Sequence, residues 1–355
     1  MKIKSIKSWL QPYPLTKPYT IAYKTISDTE IVFLEITLEN GLTGLGAANP
    51  FADVVGETPA VTLANLQTDF IQELTGRDIR HFNQLLDEVL IKFPGLPGTI
   101  AALDIALHDA FCKLIGIRVV DLYGCKMEGL HTSVTIGIKD TSAMLEEAKA
   151  NYAAGFRIIK IKTGLVVEED IERVKKLSEH FKNKMLIRVD ANQGYDVEQL
   201  KYFTRETKDT GLELIEQPLP VGLEKELTGL GSSDTKNIAA DESLLGPASA
   251  LQLSHPPRAF GIFNIKLMKC GGIRGSREIA LIAAHAGIDL FWGCNDESIT
   301  SITAALHAAY SCSNTKHLDL DGSFDLSDDL VTGGFILKDG RMYCSKEIGL
   351  GLKKK

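Results

Sequence analysis

The chain lacks any uninterrupted apolar run that approaches the roughly 18 residues of a membrane-spanning helix. Its opening residues Met1–Ser5 form a strand-like alternation and lack the apolar core of an export signal. The six cysteines are scattered, and none belongs to a C-x-x-C pair. In a chain of 355 residues this pattern indicates reduced thiols, so we expect a cytoplasmic protein that has no membrane partner.

The chain also has no excess of positive charge. It contains 39 Lys and Arg and 46 Asp and Glu, which gives a formal net charge of −7. Nucleic acid binding requires a basic face, so nucleic acid is not an expected partner. Hydrophobic residues make up 44% and charged residues 24% of the chain, which is ordinary for a globular protein. The length suits one large domain with an additional one, and a core of this size needs no disulfide or structural metal.

The first 125 residues predict a separate α+β domain. Residues 2–10 and 30–39 have the composition of strands. Apolar residues three or four apart indicate helices at 58–75, 81–92 and 98–115. An antiparallel sheet followed by helices is typical of an α+β domain, so we predict a capping domain over 1–125.

The character of the chain changes after this point, and short apolar runs alternate with helix-period segments. We find eight such runs: Val134–Ile138, Arg157–Lys162, Leu186–Asp190, Leu212–Glu216, Ile238–Asp241, Phe260–Lys266, Ile288–Trp292 and His317–Leu320. Their even spacing predicts a (β/α)₈ TIM-type barrel over 126–332, and a doubly wound open sheet is the alternative. Residues 333–355 suggest a strand pair about Lys338–Gly340, which we expect to pack back on the first domain.

Three carboxylates end consecutive predicted strands: Asp190, Glu216 and Asp241. The carboxyl ends of barrel strands face one common mouth, so these side chains should converge. Converging carboxylates repel one another unless a cation lies between them. Oxygen ligands without His or Cys favour Mg²⁺, with Mn²⁺ as a substitute. For any single one of these acids, a solvent-facing position at a strand end is the alternative.

Lysines stand beside these acids. Alternation along the strand places Lys160 and Lys162 on the same side, toward the barrel interior. Lys266 ends the predicted strand on the opposite side of the barrel. We expect neighbouring cations to lower the pKa of these amines, so that one can act as a base near neutral pH. A surface charge at the barrel rim is the alternative for each lysine alone.

Together these groups predict proton transfer at a carbon next to a carboxylate. The enolate formed there carries additional negative charge, which a metal on the carboxylate oxygens would stabilise. With Lys162 and Lys266 on opposite faces, a proton can leave from one side and return from the other. The expected outcome is racemisation or epimerisation.

Five motifs, in this order along the chain, resemble those of the enolase superfamily, muconate-lactonizing subgroup. They are Ile159–Lys162, Asp190–Gly194, Ile215–Pro218, Ala240–Ser243 and Asn264–Gly272. The resemblance covers essentially the whole chain, including Ala101–Asp109. It implies one Mg²⁺ per subunit and, because relatives are often homo-oligomers, a homo-oligomeric state.

Within the subgroup, the sequence is most similar to the dipeptide epimerases, including the L-Ala-D/L-Glu type. The pair Asp319 and Asp321 carries this resemblance, which implies that both acids hold the ammonium group of the substrate. A loop-capping Asp-x-Asp is the alternative. The same resemblance implies that Lys160 binds the substrate carboxylate and that Thr135 contacts the dipeptide.

Two departures from the pattern of these relatives concern side-chain specificity. Relatives that act on Ala-Glu carry an arginine in the loop 19–25, where this chain has Lys24. Lysine keeps the positive charge but loses the bidentate fork, so an acidic second residue is favoured without being the only one accepted. Cys294 and Asp296 also differ from the commoner residues, and they are expected to tune which side chains fit. Glu297 is expected to play a supporting role.

The sequence therefore predicts a Mg²⁺-dependent epimerase that acts on the second residue of an L-Ala-L-Glu-like dipeptide through an enolate. A muconate cycloisomerase or o-succinylbenzoate synthase of the same superfamily is the alternative, but their substrates carry no ammonium for Asp319 and Asp321. A metal-independent Schiff-base aldolase with one barrel lysine, and a barrel used only for binding, are alternatives of other classes.

Overall fold

A three-stranded antiparallel sheet opens the fold. The computed structural model describes residues 1–21, 24–230 and 235–355. The sheet has the order β1-β2-β3, with β1 at Ile3–Thr20, β2 at Thr25–Leu38 and β3 at Thr43–Ala48. Both long strands extend well past their predicted bounds. Pro12 and Pro14 do not end β1, because β1 is an edge strand, where a missing N–H can face outward.

Helices follow this sheet and pack against it. They are α1 Ala52–Val55, α2 Pro59–Leu66, α3 Asp69–Gln72, α4 Phe82–Lys92, α5 Pro97–Ile115 and α6 Val119–Tyr123, with a 3₁₀ turn at Ile79–His81. The helix predicted over 58–75 is divided into α2 and α3. At the break, the hydroxyl of Thr68 donates to the carbonyl oxygen of Asn65 at 2.8 Å, a local bond that competes with continuation of the helix.

Helix α5 lies directly on β3, and two glycines make this close approach feasible. A Cβ atom on Gly46 would lie 1.9 Å from the carbonyl oxygen of Ala102, and one on Gly44 would lie 2.2 Å from that of Ala106. Such distances exclude any side chain without movement of the helix.

The same helix joins the first domain to the rest of the chain through two buried acids. Asp104 accepts the backbone N–H of Ile273 at 2.6 Å. Asp109 accepts the N–H of Leu45 at 3.0 Å and that of Leu350 at 2.8 Å. The Asp104 bond therefore links α5 to the barrel residue Ile273, whereas the Asp109 bonds hold the sheet and the last segment of the chain to α5.

The predicted barrel is confirmed. Its eight parallel strands are β4 Val134–Ile136, β5 Ile158–Lys162, β6 Leu186–Asp190, β7 Leu212–Glu216, β8 Ile238–Ala240, β9 Ile262–Ile265, β10 Asp289–Trp292 and β11 Thr315–Leu318. They are hydrogen-bonded in sequence order. A parallel bridge between Thr132 and Leu318 brings the first and last strands together, so the sheet closes on itself.

Helices connect the barrel strands and surround them. They are α7 Thr141–Ala153, α8 Val167–Phe181, α9 Val197–Thr207, α10 Glu224–Leu227, α11 Pro247–Leu253, α12 Leu267–Cys270, α13 Gly272–Ala286 and α14 Ile299–Tyr310. Among the described residues, no helix has the length and apolar character needed to cross a membrane.

The last residues of the chain form short strands. These strands are β12 Val331–Gly333, β13 Phe335–Lys338, β14 Arg341–Cys344 and β15 Leu352–Lys354. The predicted strand pair is the hairpin β13–β14, whose turn residues Asp339 and Gly340 have φ values of 50° and 71°. Positive φ at both positions is typical of the tight turns that fit the twist of a hairpin. Beyond the hairpin, the N–H of Val119 donates to Gly349 at 3.0 Å.

We expect the substitution Gly46→Ala to destabilise the fold, because its Cβ would meet backbone rather than a movable side chain. Overpacking of this kind costs about 1–3 kcal/mol or more. Thermal unfolding followed by circular dichroism measures the effect. Gly246→Ala is the control, since no atom lies within 4 Å of its added Cβ and its backbone is extended. Equal melting temperatures for the two variants would contradict this account of the contact.

Candidate active site

The predicted convergence of acids at the barrel mouth is present. Asp190 ends β6, Glu216 ends β7, and Asp241 directly follows β8. Asp190 and Glu216 are direct partners in the register of β6 and β7. All three side chains are buried. Strand order therefore places three carboxylates side by side where they are shielded from solvent.

Lysines approach these acids from two sides of the barrel. Lys162 Nζ lies 2.6 Å from Asp190 Oδ2, and Lys266 Nζ lies 2.8 Å from Asp241 Oδ2. The lysines belong to β5 and to the residue after β9, which are four strands apart in a ring of eight. Both line one cavity of about 320 Å³ between the capping domain and the barrel.

Neighbouring charges shift the pKa values of Glu216 and Asp241 in opposite directions. Burial and the charge of Asp190 raise the pKa of Glu216 to about 8. For Asp241, burial is outweighed by the charges of Lys266 and Lys269, so its pKa is lowered. The acids repel one another where no cation compensates them.

The donor set fits a divalent cation. Asp190 and Asp241 both raise the pKa of Glu216, and a cation among the three would relieve this repulsion. All donors are carboxylate oxygens, which suits Mg²⁺. Among the described residues, no group of three His, Cys, Asp or Glu side chains is close enough to bind a metal in its present conformation. Asp190, Glu216 and Asp241 each pair with a lysine in this structure.

The pKa of Lys266 differs in direction from the one expected from the sequence. The pKa of Lys266 was expected to be lowered by neighbouring cations. Burial does favour its neutral form, but the charges of Asp241 and Glu216 outweigh burial and raise the pKa. The expectation assumed a divalent cation beside the lysines, and a cation that compensates Asp241 and Glu216 would act in the expected direction.

The predicted carboxylate-binding lysine lies deep in the barrel mouth. Lys160 is buried and forms a hydrogen bond with Asp319 Oδ2. Its Nζ also lies 3.3 Å from Glu216 Oε2 and 3.7 Å from Asp190 Oδ2. It therefore connects the predicted metal ligands to the predicted ammonium site.

The structure brings Asp319 and Asp321 together with Thr135, as the sequence predicted. Asp321 Oδ2 accepts the backbone N–H of Thr135 at 2.6 Å. Asp319 Oδ1 accepts the hydroxyl of Ser133 at 2.6 Å. Burial and the charge of Asp319 raise the pKa of Asp321 to about 7. A buried acid pair of this kind favours a cation from the substrate.

Lys24 lies in the cavity wall, but its charge is compensated. Its Nζ is 2.8 Å from Asp53 Oδ2 and 3.8 Å from the centroid of the Phe51 ring. The expected role of Lys24 in reading the second side chain of the substrate stays a prediction, since its side chain lines the cavity and also pairs with an exposed acid. The sequence did not reveal that α1 places Asp53 beside it. Ala22 and Tyr23, from the same predicted loop, lie outside the described residues.

Cys294 and Asp296 both face the cavity. Asp296 Oδ2 accepts the hydroxyl of Tyr19 at 3.0 Å, and burial raises the pKa of Asp296 to about 6. Cys294 Sγ donates to the carbonyl oxygen of Asp319 at 3.2 Å. Glu297 is buried beneath them and accepts the N–H of Asn295 at 2.8 Å, which agrees with a supporting role.

The sequence analysis missed two residues of this site. Lys269 Nζ lies 2.5 Å from the carbonyl oxygen of Asp241 and also pairs with its carboxylate. Asn264 Nδ2 donates to Glu216 Oε1 at 2.6 Å. Both belong to the motif Asn264–Gly272, in which Lys269 lies one helical turn beyond Lys266, so this spacing was the available signal.

Family models match most of the chain. The model of the mandelate racemase / muconate lactonizing enzyme N-terminal domain matches residues 6–124, and an enolase C-terminal domain-like model matches residues 143–354. The chain belongs to the enolase superfamily. The resemblance seen in the five sequence motifs is thereby confirmed.

Individual relatives in the superfamily cover the chain almost completely. The L-Lys-D/L-Arg epimerase of Desulforapulum autotrophicum is 52% identical over 355 residues, which is 100% of each chain. A structure of the dipeptide epimerase from Methylococcus capsulatus with Mg and the dipeptide L-Arg-D-Lys has a TM-score of 0.97, 48% identity and 99% coverage of both chains. The L-Ala-D/L-Glu epimerase of Bacillus subtilis is 30% identical, over 99% of this chain and 97% of its own.

We expect Mg²⁺ to raise the melting temperature of the protein, because a ligand that binds only the folded state stabilises it by about 2.7 kcal/mol at 100 times its Kd. In Glu216→Gln this rise should be lost or much reduced, since one ligand charge is removed. Differential scanning fluorimetry with MgCl₂ or EDTA measures it. Asp53→Asn, at an exposed acid away from the three carboxylates, should keep the full rise. An undiminished rise in Glu216→Gln would remove Glu216 from the metal site.

Proposed function

We propose that this chain is a Mg²⁺-dependent dipeptide epimerase that inverts the α-carbon of the second residue. The observation that carries the proposal is the pair Lys162 and Lys266, which line one cavity from opposite sides of the barrel with three carboxylates between them. A 1,1-proton transfer needs one acid–base group on each face of the carbon, and this arrangement provides both.

In the proposed reaction, one lysine amine accepts the α-proton, and the ammonium of the other lysine donates a proton to the opposite face. Which lysine acts as base depends on the chirality of the substrate. Lys160 lies where its ammonium can hold the substrate carboxylate during the transfer. Mg²⁺ bound by Asp190, Glu216 and Asp241 supplies positive charge that stabilises the enolate oxygens.

The ammonium group of the dipeptide is assigned to Asp319 and Asp321. Both acids are buried; the hydroxyl of Ser133 donates to Asp319, and the backbone N–H of Thr135 donates to Asp321. Asp319 already pairs with Lys160, but substrates of a cycloisomerase or an o-succinylbenzoate synthase would bring no ammonium to Asp321, for which the described residues provide no ion pair. This mismatch disfavours both alternatives.

For the side chains of the dipeptide, we propose cationic residues in place of the glutamate that the sequence suggested. The main cavity is lined by Asp28, Glu30 and Asp296, whereas Lys24 is paired with Asp53. A cavity with uncompensated acids favours lysine or arginine. The two epimerases that are 52% and 48% identical to this chain are both named for lysine and arginine.

Three further predictions stand as proposals beside this function. They are a homo-oligomeric state, a cytoplasmic location, and division of the chain into a capping domain at 1–125 with 333–355 and a barrel at 126–332. The hydrogen bond from Leu350 to Asp109 supports the domain assignment of the last segment. Analytical ultracentrifugation of the purified chain would test the oligomeric state.

We expect wild-type protein with Mg²⁺ to epimerise L-Ala-L-Lys in D₂O and to exchange the α-proton of its second residue, as followed by proton NMR. Lys162→Ala and Lys266→Ala should each lose epimerisation by about 10²–10⁴-fold, because one face loses its acid–base group. Residual exchange should be confined to one epimer in each variant, and to opposite epimers in the two variants.

The control for this experiment is Lys175→Ala, at an exposed lysine that pairs with Glu206. EDTA should stop both exchange and inversion. Epimerisation that survives in both lysine variants would refute the assignment. A covalent adduct trapped by borohydride in the presence of EDTA would instead support the Schiff-base alternative.

We also expect kcat/KM for L-Ala-L-Lys to exceed that for L-Ala-L-Glu. Asp296→Asn should lower this ratio by about tenfold, or roughly 1.4 kcal/mol, because an acid in the cavity wall is lost. Parallel kinetics with Asp87→Asn, an exposed acid that pairs with Arg274, provide the control. If the wild-type protein has a higher kcat/KM for L-Ala-L-Glu, the proposed preference for a cationic second residue is wrong.

A further inference from the structure

A second, smaller cavity adjoins the main one at the predicted ammonium site. Its walls include Lys17–Tyr19 of β1, the end of β4 with the loop beyond it, the segment Cys294–Asp296 after β10, and the segment that follows β11. Asp319 and Asp321 line it, and so do Lys162 and Lys266. The cavity is therefore continuous with the position of the reacting carbon.

Asp325 and Glu147 are acids of this cavity that the proposed reaction leaves without a role, and Glu147 already pairs with lysines. Within the described residues the carboxylate of Asp325 forms no hydrogen bond or ion pair, and its backbone oxygen alone accepts, from Thr16. Burial and the charges of Asp296 and Glu147 raise the pKa of Asp325 to about 6. A partly buried acid without a counter-charge is costly unless a cation reaches it.

The nearby lysines of the cavity are already paired. Lys17 Nζ lies 2.7 Å from Glu147 Oε2, and Lys139 pairs with the same carboxylate. Glu147 therefore holds both cations on the far wall. The charge of Lys17 lowers the pKa of Asp325, but by less than burial raises it.

The position of Asp325 is fixed by the backbone. The N–H of Thr16 donates to the carbonyl oxygen of Asp325 at 2.7 Å, and the N–H of Ser327 donates to that of Pro14 at 3.1 Å. Leu15 and Leu326 form an antiparallel bridge between these two bonds. The backbone of Asp325 is thus held against the capping domain, beside the smaller cavity.

The covalent structure of a dipeptide links these observations. The first residue carries its ammonium and its side chain on the same α-carbon. If Asp319 and Asp321 hold the ammonium, the side chain must begin within one bond of that carbon, beside the smaller cavity. We propose that Asp325 is the specificity-determining residue that receives a cationic side chain on the first residue of the dipeptide.

This inference rests on the proposed epimerase function. It adds the residue that decides which side chain is accepted on the first residue of the dipeptide. The test uses the full chain with Mg²⁺ and two substrates that share their second residue, L-Arg-L-Lys and L-Ala-L-Lys. We expect Asp325→Asn to lower the ratio of kcat/KM for L-Arg-L-Lys over L-Ala-L-Lys by about tenfold or more. The loss should appear in KM, because the contact is the same in the ground and transition states.

A charge reversal sharpens the test. Asp325→Lys should favour L-Glu-L-Lys over L-Arg-L-Lys, which a merely structural role of Asp325 would not produce. Asp328→Asn is the control, since this neighbouring acid is exposed and pairs with Lys355. A ratio of kcat/KM values that is unchanged in Asp325→Asn, including the case in which both substrates lose the same factor, would overturn the inference. Absence of epimerisation by the wild-type chain would instead contradict the proposed function itself.

Discussion

Mutual repulsion among buried carboxylates at the barrel mouth is the constraint on which the site depends. Asp190, Glu216 and Asp241 lie side by side on adjoining strands, and each pairs with a lysine in the structure. Removing one partner of such a buried pair costs about 3–5 kcal/mol, because the other charge is left uncompensated. The lysines that would transfer protons thus also help to hold the acids together.

The rigidity of the barrel gives this arrangement its precision. Lys162 ends β5 and pairs with Asp190 of the neighbouring strand, and Lys266 directly follows Ile265, the last paired residue of β9. A proton transfer requires the donor and the α-carbon to lie within hydrogen-bond reach. Side chains placed by a sheet meet this requirement better than side chains placed by loops.

Chemistry and selection are divided between the two parts of the chain. The barrel supplies every proposed ligand and acid–base group, whereas the capping domain supplies Tyr19, Asp28 and Glu30 to the cavity walls. Helix α5 joins these parts through Asp104, which accepts the N–H of the barrel residue Ile273 at 2.6 Å. Substitutions in the cap can therefore change the accepted side chain without disturbing the carboxylates and lysines.

The sequence by itself determined the barrel, the order of the acids and the inward direction of the lysines. These features follow from local periodicity: strands alternate their side chains, and parallel strands end at one mouth. Tertiary structure alone decided that Lys24 pairs with Asp53, that Lys269 supports Asp241, and that the carboxylate of Asp325 has no ion-pair partner within residues 1–21, 24–230 and 235–355. Such contacts join separate elements, as Ser133 and Asp319 do across 186 positions, and no local pattern encodes them. Their formation depends on how the elements pack, which only the folded chain specifies.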